Sequence, residues 1–325
     1  MTVSSCSRLE ALLASFPGGR AFLSPILATA LASTVYAAPN PGQAMHDPDH
    51  ALVFQVGDLK VTIGDHYAHG GSDRPSYTGI HHLSHRLRES NVFCPLYAGM
   101  IGIRKECTIR PVGKNGAVLT VGTGKSEVSE TYTVKAPHYV DHAARFTAGR
   151  TTGSWNSTSY MNGPADPAIY IIQTNGEWAR HYSETHGDRA SIAPKGMDPL
   201  PKGNVVENAK YAHGTNGFWD GFSDLRFDPD FPLFYGRFDD MVLIFMVERK
   251  WGSDLIPYMS PSGGGYSKEW ERTNPAWDYR YRLRNLTPGA EVVIRSRVCY
   301  KRFVSDEDIL AEYEAWQKQL ETGSR

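Results

Sequence analysis

Cysteine is scarce in this chain, with four residues in 325. None stands in the C-x-x-C spacing of a zinc ribbon or a dithiol redox motif, which excludes both classes. Removal of an N-terminal leader would take away Cys6 and leave Cys94, Cys107 and Cys299, an odd set too small for a disulfide framework. Two readings stay open for these three: one bridge in an oxidising compartment, with Cys94 and Cys107 as the local pair, or three buried thiols. Excess charge is missing too. Lys and Arg total 34 against 35 Asp and Glu, a net charge of −1, so nothing in the balance points to nucleic acid or an anionic membrane as partner.

Long apolar runs are also lacking. The nearest approach, Ala21 to Ala38 (AFLSPILATALASTVYAA), is broken by Pro25 and diluted by Ala, Ser and Thr. It suits a spanning helix poorly, since a helix that crosses a bilayer needs about 20 predominantly apolar residues. Arg8 and Arg20 precede it, and Val35-Tyr36-Ala37 offers small residues where a signal peptidase reads. Residues 1–37 therefore read as a signal peptide, residues 38–50 as a linker and residues 51–325 as one domain with no membrane span, in a secreted or periplasmic protein. No βαβ alternation, nucleotide-binding glycine loop, G-x-S-x-G, H-E-x-x-H or internal repeat occurs, which argues against Rossmann, TIM-barrel, esterase-elbow and zincin chemistry.

What is present is aromatic and turn-rich: 17 Tyr, 7 Trp, 31 Gly and 20 Pro. Ala51 to Ile63 (ALVFQVGDLKVTI) is two alternating apolar runs joined by Gly57-Asp58, the pattern of a tight hairpin. Further strands are expected over 92–109, 117–121, 127–135, 139–147, 168–174, 241–248, 279–283 and 291–300. Met241 to Val247 (MVLIFMV) is apolar at every position, as in a central strand buried on both faces. Helix is expected only over 305–320, capped by Ser305, with Asp306, Glu307 and Asp308 in the first turn and Ile309, Tyr313, Trp316 and Leu320 at helical spacing. The stretch 183–232 has weak periodicity and reads as ordered loops, because Trp219, Phe222, Phe227 and Phe231 give it apolar anchors. The expected fold is all-β, an antiparallel β-sandwich of jelly-roll or supersandwich type with one C-terminal amphipathic helix.

Histidine is the most unevenly placed polar residue: His66, His69, His81, His82 and His85 fall close together. If residues 79–87 are extended, His81, Leu83 and His85 share one face and His82 points to the other. Paired imidazoles serve proton transfer or metal ligation. A zinc ion would need a third ligand, with His66, His69, His138 and Asp141 available, so a divalent metal stays open while no cofactor is required. A second group, His138-Tyr139-Val140-Asp141-His142, alternates so that His138, Val140 and His142 share one side and Tyr139, Asp141 and Ala143 the other, and one side can face a cleft. A third, Trp178 to Tyr182 with His186, concentrates Arg, His and Tyr.

Those three residue types suit β-elimination on a uronate, which needs a cation for the carboxylate, a base for the C5 proton and an acid for the leaving oxygen. His81, His82, Tyr160, Arg180 and His181 are the catalytic candidates. Asn162, Tyr235, Arg237, Trp277, Asp278 and His138 are the substrate-binding candidates, as hydrogen-bonding or stacking groups beside turns. Glycoside hydrolysis needs two carboxyl groups instead. Glu177, Asp220, Asp224, Asp239, Asp240 and Asp278 are available, and the sequence does not pair them.

The runs NVFCPLYAG, YMNGP (Tyr160 to Pro164), PLFYGRFDDMVLIFM, SPSGGG and NPAWDY together resemble an uncharacterised class of secreted β-sandwich proteins associated with polysaccharide-degrading bacteria. The resemblance spans residues 75–303, implies a glycan substrate and transfers no catalytic residue. In style the chain is also similar to β-sandwich polysaccharide lyases and mutarotase-like supersandwich domains. The expected function is a carbohydrate-active enzyme, a lyase on an acidic glycan, with a glycoside hydrolase or a non-catalytic glycan-binding protein as alternatives. The expected partner is a poly- or oligosaccharide.

Overall fold

Alternating apolar residues, cut by turn residues, produce a layered β structure closed by one helix. The computed structural model describes residues 47–68, 77–94, 97–122, 127–182, 191–197, 222–249, 254–262, 266–267, 272–273 and 275–323. The leader expected over residues 1–37 and most of the expected linker, together with His69 and His186, lie outside the described residues. The strands in chain order are β1 (Ala51–Val56), β2 (Leu59–Gly64), β3 (Gly79–His85), β4 (Thr108–Val112), β5 (Gly116–Val121), β6 (Val128–Lys135), β7 (Tyr139–Thr147), β8 (Gly153–Ser157), β9 (Ile169–Ile172) and β10 (Trp178–His181). They continue as β11 (Ser191–Pro194), β12 (Phe222–Phe227), β13 (Leu233–Phe238), β14 (Met241–Val247), β15 (Leu255–Ser262), β16 (Tyr266–Ser267), β17 (Arg272–Thr273), β18 (Ala276–Leu283) and β19 (Glu291–Arg302), followed by helix α1 (Asp306–Gly323).

A nine-stranded sheet in the order β10-β9-β13-β14-β19-β7-β6-β5-β4 is the backbone of the molecule. A five-stranded sheet, β12-β11-β15-β18-β8, and a three-stranded sheet, β1-β2-β3, contribute to the same apolar core. Strand period explains why MVLIFMV carries no polar residue. Met241, Leu243, Phe245 and Val247 enter the core between the sheets, while Val242, Ile244 and Met246 face α1. The helix covers that second face with Ile309, Tyr313 and Trp316, and the Ser305 hydroxyl accepts the Asp308 N–H at 3.2 Å as its cap. Among the described residues no helix is long and apolar enough to cross a membrane. The result is the expected all-β sandwich with one C-terminal helix.

Two expectations change. Residues 92–107 hold isolated bridges, Phe93↔Met161 and Ile101↔Thr158, in place of the expected continuous strand, and pairing starts only at Thr108. The cause is steric: a Cβ on Gly99 would stand 2.2 Å from the Phe93 ring, and one on Gly102 would stand 1.8 Å from Glu130 Oε1. Backbone approach of that kind packs the segment against its neighbours instead of into a ladder. Neither side of β7 lines a cleft among the described residues: the one that carries Val140 and His142 faces the sandwich interior, and Tyr139 on the other packs with the α1 cluster. Both His142 and Glu130 are buried in that interior, with His142 Nε2 3.4 Å from Glu130 Oε1. Cys94, Cys107 and Cys299 are buried thiols with no disulfide among them, the second of the two readings left open by the sequence.

Candidate functional site

The outer face of the three-stranded sheet forms the floor of a cleft of about 700 Å³. Register decides what the floor carries. Gln55 pairs with Lys60 and Lys60 with Ser84, while Thr62 pairs with His82, so Gln55, Lys60, Ser84 and His82 belong to one face. Leu59, Val61 and Leu83 belong to the other and are buried in the core. The β2–β3 pairing slips between Thr62 and Ile63, leaving His81 as the extra residue of a bulge. His81 is consequently 1% exposed, and its ring lies against Gly64, whereas His82 is half-buried and lines the cleft.

Asn91 holds one wall through four hydrogen bonds. Its Oδ1 accepts Leu83 N–H and Phe93 N–H, both at 3.0 Å, its Nδ2 donates to His81 O at 2.8 Å, and its own carbonyl accepts Asn162 Nδ2 at 3.0 Å. Asn162 thereby reaches the cleft from beyond the sheet. His82 Nε2 stands 2.9 Å from Ser84 Oγ, which fixes the imidazole over the floor beside exposed Lys60.

Asp58, His85, Arg86, Glu89 and Ser90 also line the cleft. Asp58 sits in the β1–β2 turn, where Gly57 has a φ of 59° and a Cβ would come within 2.3 Å of Pro137 O. The Asp58 carboxylate binds Arg86 Nε at 2.6 Å and lies 3.5 Å from His85 Nε2 and 3.8 Å from His138 Nδ1. The Arg86 hydrogen bond, partly opposed by burial, holds the Asp58 carboxyl below its ordinary range. His85 Nδ1 accepts the Leu87 N–H at 3.1 Å, so the ring proton belongs on Nε2, facing Asp58. Burial pushes the His85 imidazole below its ordinary value against the pull of Asp58, which keeps it neutral near pH 7.

Beyond Asp58, His138 Nε2 lies 3.5 Å from Glu312 Oε1, and Glu312 also accepts Tyr139 Oη at 2.7 Å and Lys301 Nζ at 2.5 Å. His138, Cys299 and Glu312 bring three ligand atoms within 4.8 Å of one another. The Lys301 ammonium on Glu312 supplies the positive charge that a cation would bring, and burial pushes the Cys299 thiol far above its ordinary value. Of the three donors, Glu312 is already engaged by Lys301 and Tyr139. A separate pair, His50 Nδ1 and Asp65 Oδ2 at 2.9 Å, closes the end of β2.

Of the residues singled out from the sequence, His82 and Asn162 meet in the cleft and His138 stands behind it, one carboxylate away. Tyr160 lies apart, with Tyr77 and Tyr97; burial, then Tyr77 and Asp278, push its phenol above the ordinary value. Arg180 forms a two-point pair with Asp166 at 3.0 and 2.6 Å, and His181 is buried at the end of edge strand β10. Tyr235 donates to Asp306 at 2.8 Å under α1, and Arg237 lies over the Phe303 ring at 3.7 Å. Trp277 is a core residue that donates to Pro167 O at 3.0 Å, and Asp278 is buried, accepting Ser159 N–H at 3.0 Å. Lys60, Ser84, Asn91 and Asp58 were not legible as site residues. The only signal was the two-residue period of β2, which places Lys60 on the polar face.

No family model matches the chain, and no curated protein matches it. Among solved structures it is similar to a heparan sulfate lyase HepC mutant from Pedobacter heparinus, at 9% identity and a TM-score of 0.43 over 79% of this chain and 36% of that one. A heparinase III, the BT4657 gene product, is similar at 8% identity and a TM-score of 0.42 over 80% of this chain and 37% of its own. The protein HI1317 is similar at 8% identity and a TM-score of 0.39 over 78% of this chain and 97% of its own. The chain spans little more than a third of the two lyases. No residue role is transferred from any of them.

Proposed function

We propose that this protein is an exported carbohydrate-active lyase that cleaves an acidic glycan by β-elimination in the cleft over β2 and β3. The observation that carries the reading is one sheet face presenting the Lys60 ammonium beside the His82 imidazole, with Asn91 and Asn162 as a polar wall. Lys60 neutralises the uronate carboxylate, which makes the neighbouring C5–H acidic enough to lose. His82 takes that proton, the freed electron pair forms the C4–C5 double bond, and the C4–O bond breaks. The leaving oxygen takes a proton back from the imidazolium, so one side chain serves as base and then as acid on the same face of the ring. Hydrolysis is less well served. Among the described residues of the cleft its two carboxyl groups would come from Asp58 and Glu89, and Asp58 is committed to Arg86.

One observation favours a second reading, glycan binding without cleavage. Tyr160, the tyrosine among the catalytic candidates, is absent from the cleft lining. A screen of the purified protein against heparosan, chondroitin, alginate, polygalacturonate and neutral glycans separates the readings. Ultraviolet absorbance of the unsaturated uronate and reducing ends are followed together. A joint rise on an acidic glycan is the expected result. Reducing ends alone mean hydrolysis and overturn elimination, and retention of a glycan with neither signal means binding.

A further inference from the structure

Three tyrosine rings converge outside the cleft. Tyr97 and Tyr160 have centroids 4.7 Å apart, Tyr77 and Tyr160 5.8 Å, and Tyr77 and Tyr97 5.7 Å, with interplanar angles of 37°, 33° and 41°. A purely structural cluster of this kind would be buried. Here Tyr97 is 39% exposed, and Tyr77 and Tyr160 are only partly covered. The exposed Arg104 guanidinium stands 5.9 Å from the Tyr77 ring centroid and is anchored by a 2.6 Å hydrogen bond to Thr158 Oγ1. An aromatic surface with a fixed cation beside it matches a sugar ring that has apolar C–H groups on one face and a carboxylate at its edge.

The chain itself links this surface to the cleft. Met161 is 0% exposed in the core, while Tyr160 and Asn162 on either side of it are only partly buried. Asn162 lines the cleft wall, and Tyr160 belongs to the ring cluster. Two residues of chain reach at most about 7 Å between Cα atoms, a separation that one or two sugar units bridge. We infer that Tyr77, Tyr97 and Tyr160, with Arg104 beside them, form a stacking subsite that takes a further uronate unit of the glycan held in the cleft. This rests on the reading of the cleft as an acidic-glycan site. It gives Tyr160 a role in holding the chain, in place of the catalytic role expected from sequence.

The test compares affinity for a disaccharide and an octasaccharide of the same acidic glycan, chosen from heparosan, chondroitin, alginate and polygalacturonate as the one the wild type retains. The octasaccharide should bind wild type more tightly than the disaccharide. Tyr97→Ala should weaken the octasaccharide about tenfold, the scale of one lost aromatic stacking contact, and affect the disaccharide much less. Tyr97→Phe, which keeps the ring face, should restore the affinity, and Arg104→Gln should weaken the octasaccharide in a salt-dependent way. Equal affinity for the two lengths, or unchanged octasaccharide binding in Tyr97→Ala and Arg104→Gln while Lys60→Met loses both ligands, overturns the subsite and leaves the cleft reading standing. Retention of none of the four glycans overturns both.

Discussion

Glu130 shows what a single side chain contributes inside this sandwich. It is fully buried, accepts Ile103 N–H at 3.3 Å and Tyr132 Oη at 3.2 Å, and faces His142, whose Nδ1 lies 3.0 Å from Ser296 Oγ. Glu130→Ala leaves the buried Ile103 N–H without its acceptor and should cost about 1–3 kcal/mol of folding stability. Urea unfolding measures it, and an unchanged stability would contradict that acceptor role. Gly236 makes a similar case for packing. A Cβ there would stand 2.0 Å from the Trp277 ring, and Gly236→Ala should destabilise by about 1–3 kcal/mol through overpacking. The three described thiols are buried, and burial together with nearby carboxylates pushes Cys107 up to about 12. None should react with a thiol-specific chromogenic disulfide at pH 8 until denaturant is added. Fast labelling of the native protein would contradict their burial.

The element that ties the cleft to the rest of the molecule is the β1–β2 turn. Asp58 N–H donates to Pro137 O at 2.7 Å, and its carboxylate reaches Arg86, His85 and His138, so one turn is fastened to another. Glu312 of α1 completes the joint. Burial alone would raise its carboxyl, but hydrogen bonds from His138, Lys301 and Tyr139 outweigh it and hold the group at about 2, against an ordinary 4.5. A depressed folded-state value contributes stability that is present above pH 4.5 and fades as pH falls towards 2. Wild type should therefore lose stability across that window, and Glu312→Gln should show a smaller loss over the same range by thermal melts against pH. An identical acid limb in both proteins would mean that Glu312 is not held by these partners.

Elements of this kind were unevenly legible. Local periodicity exposes β14, β19 and α1, because burial on two faces or on a helical stripe leaves a continuous trace in the sequence. It also exposes the β1–β2 hairpin, since Gly57-Asp58 is a turn signal in itself. The cleft left a weaker trace. His82 and Asn162 were legible as residue types, but their meeting depends on Asn91, whose four hydrogen bonds cross between segments. His81 was expected to share a face with Leu83 and His85, opposite His82, and the bulge that takes His81 out of the ladder has no signature in residue type. Trp277, Asp278 and Tyr235 stand beside turns in the sequence and are taken up by packing once the sheets close.

At the scale of the whole molecule, a nine-stranded sheet carries apolar residues on both faces and is covered on one by the sandwich and on the other by α1. That arrangement frees the three-stranded sheet to spend its outer face on polar groups. Stability and chemistry are thereby separable, and substitutions on the cleft floor should leave folding unchanged. The comparison of wild type with His82→Ala tests the central claim most directly, with unsaturated-uronate formation followed on an acidic glycan and thermal unfolding and glycan affinity measured on the same preparations. The proposed elimination predicts a rate lower by about 100-fold or more, the scale of lost general acid–base catalysis, with melting temperature and affinity retained. Undiminished product formation by His82→Ala would contradict it.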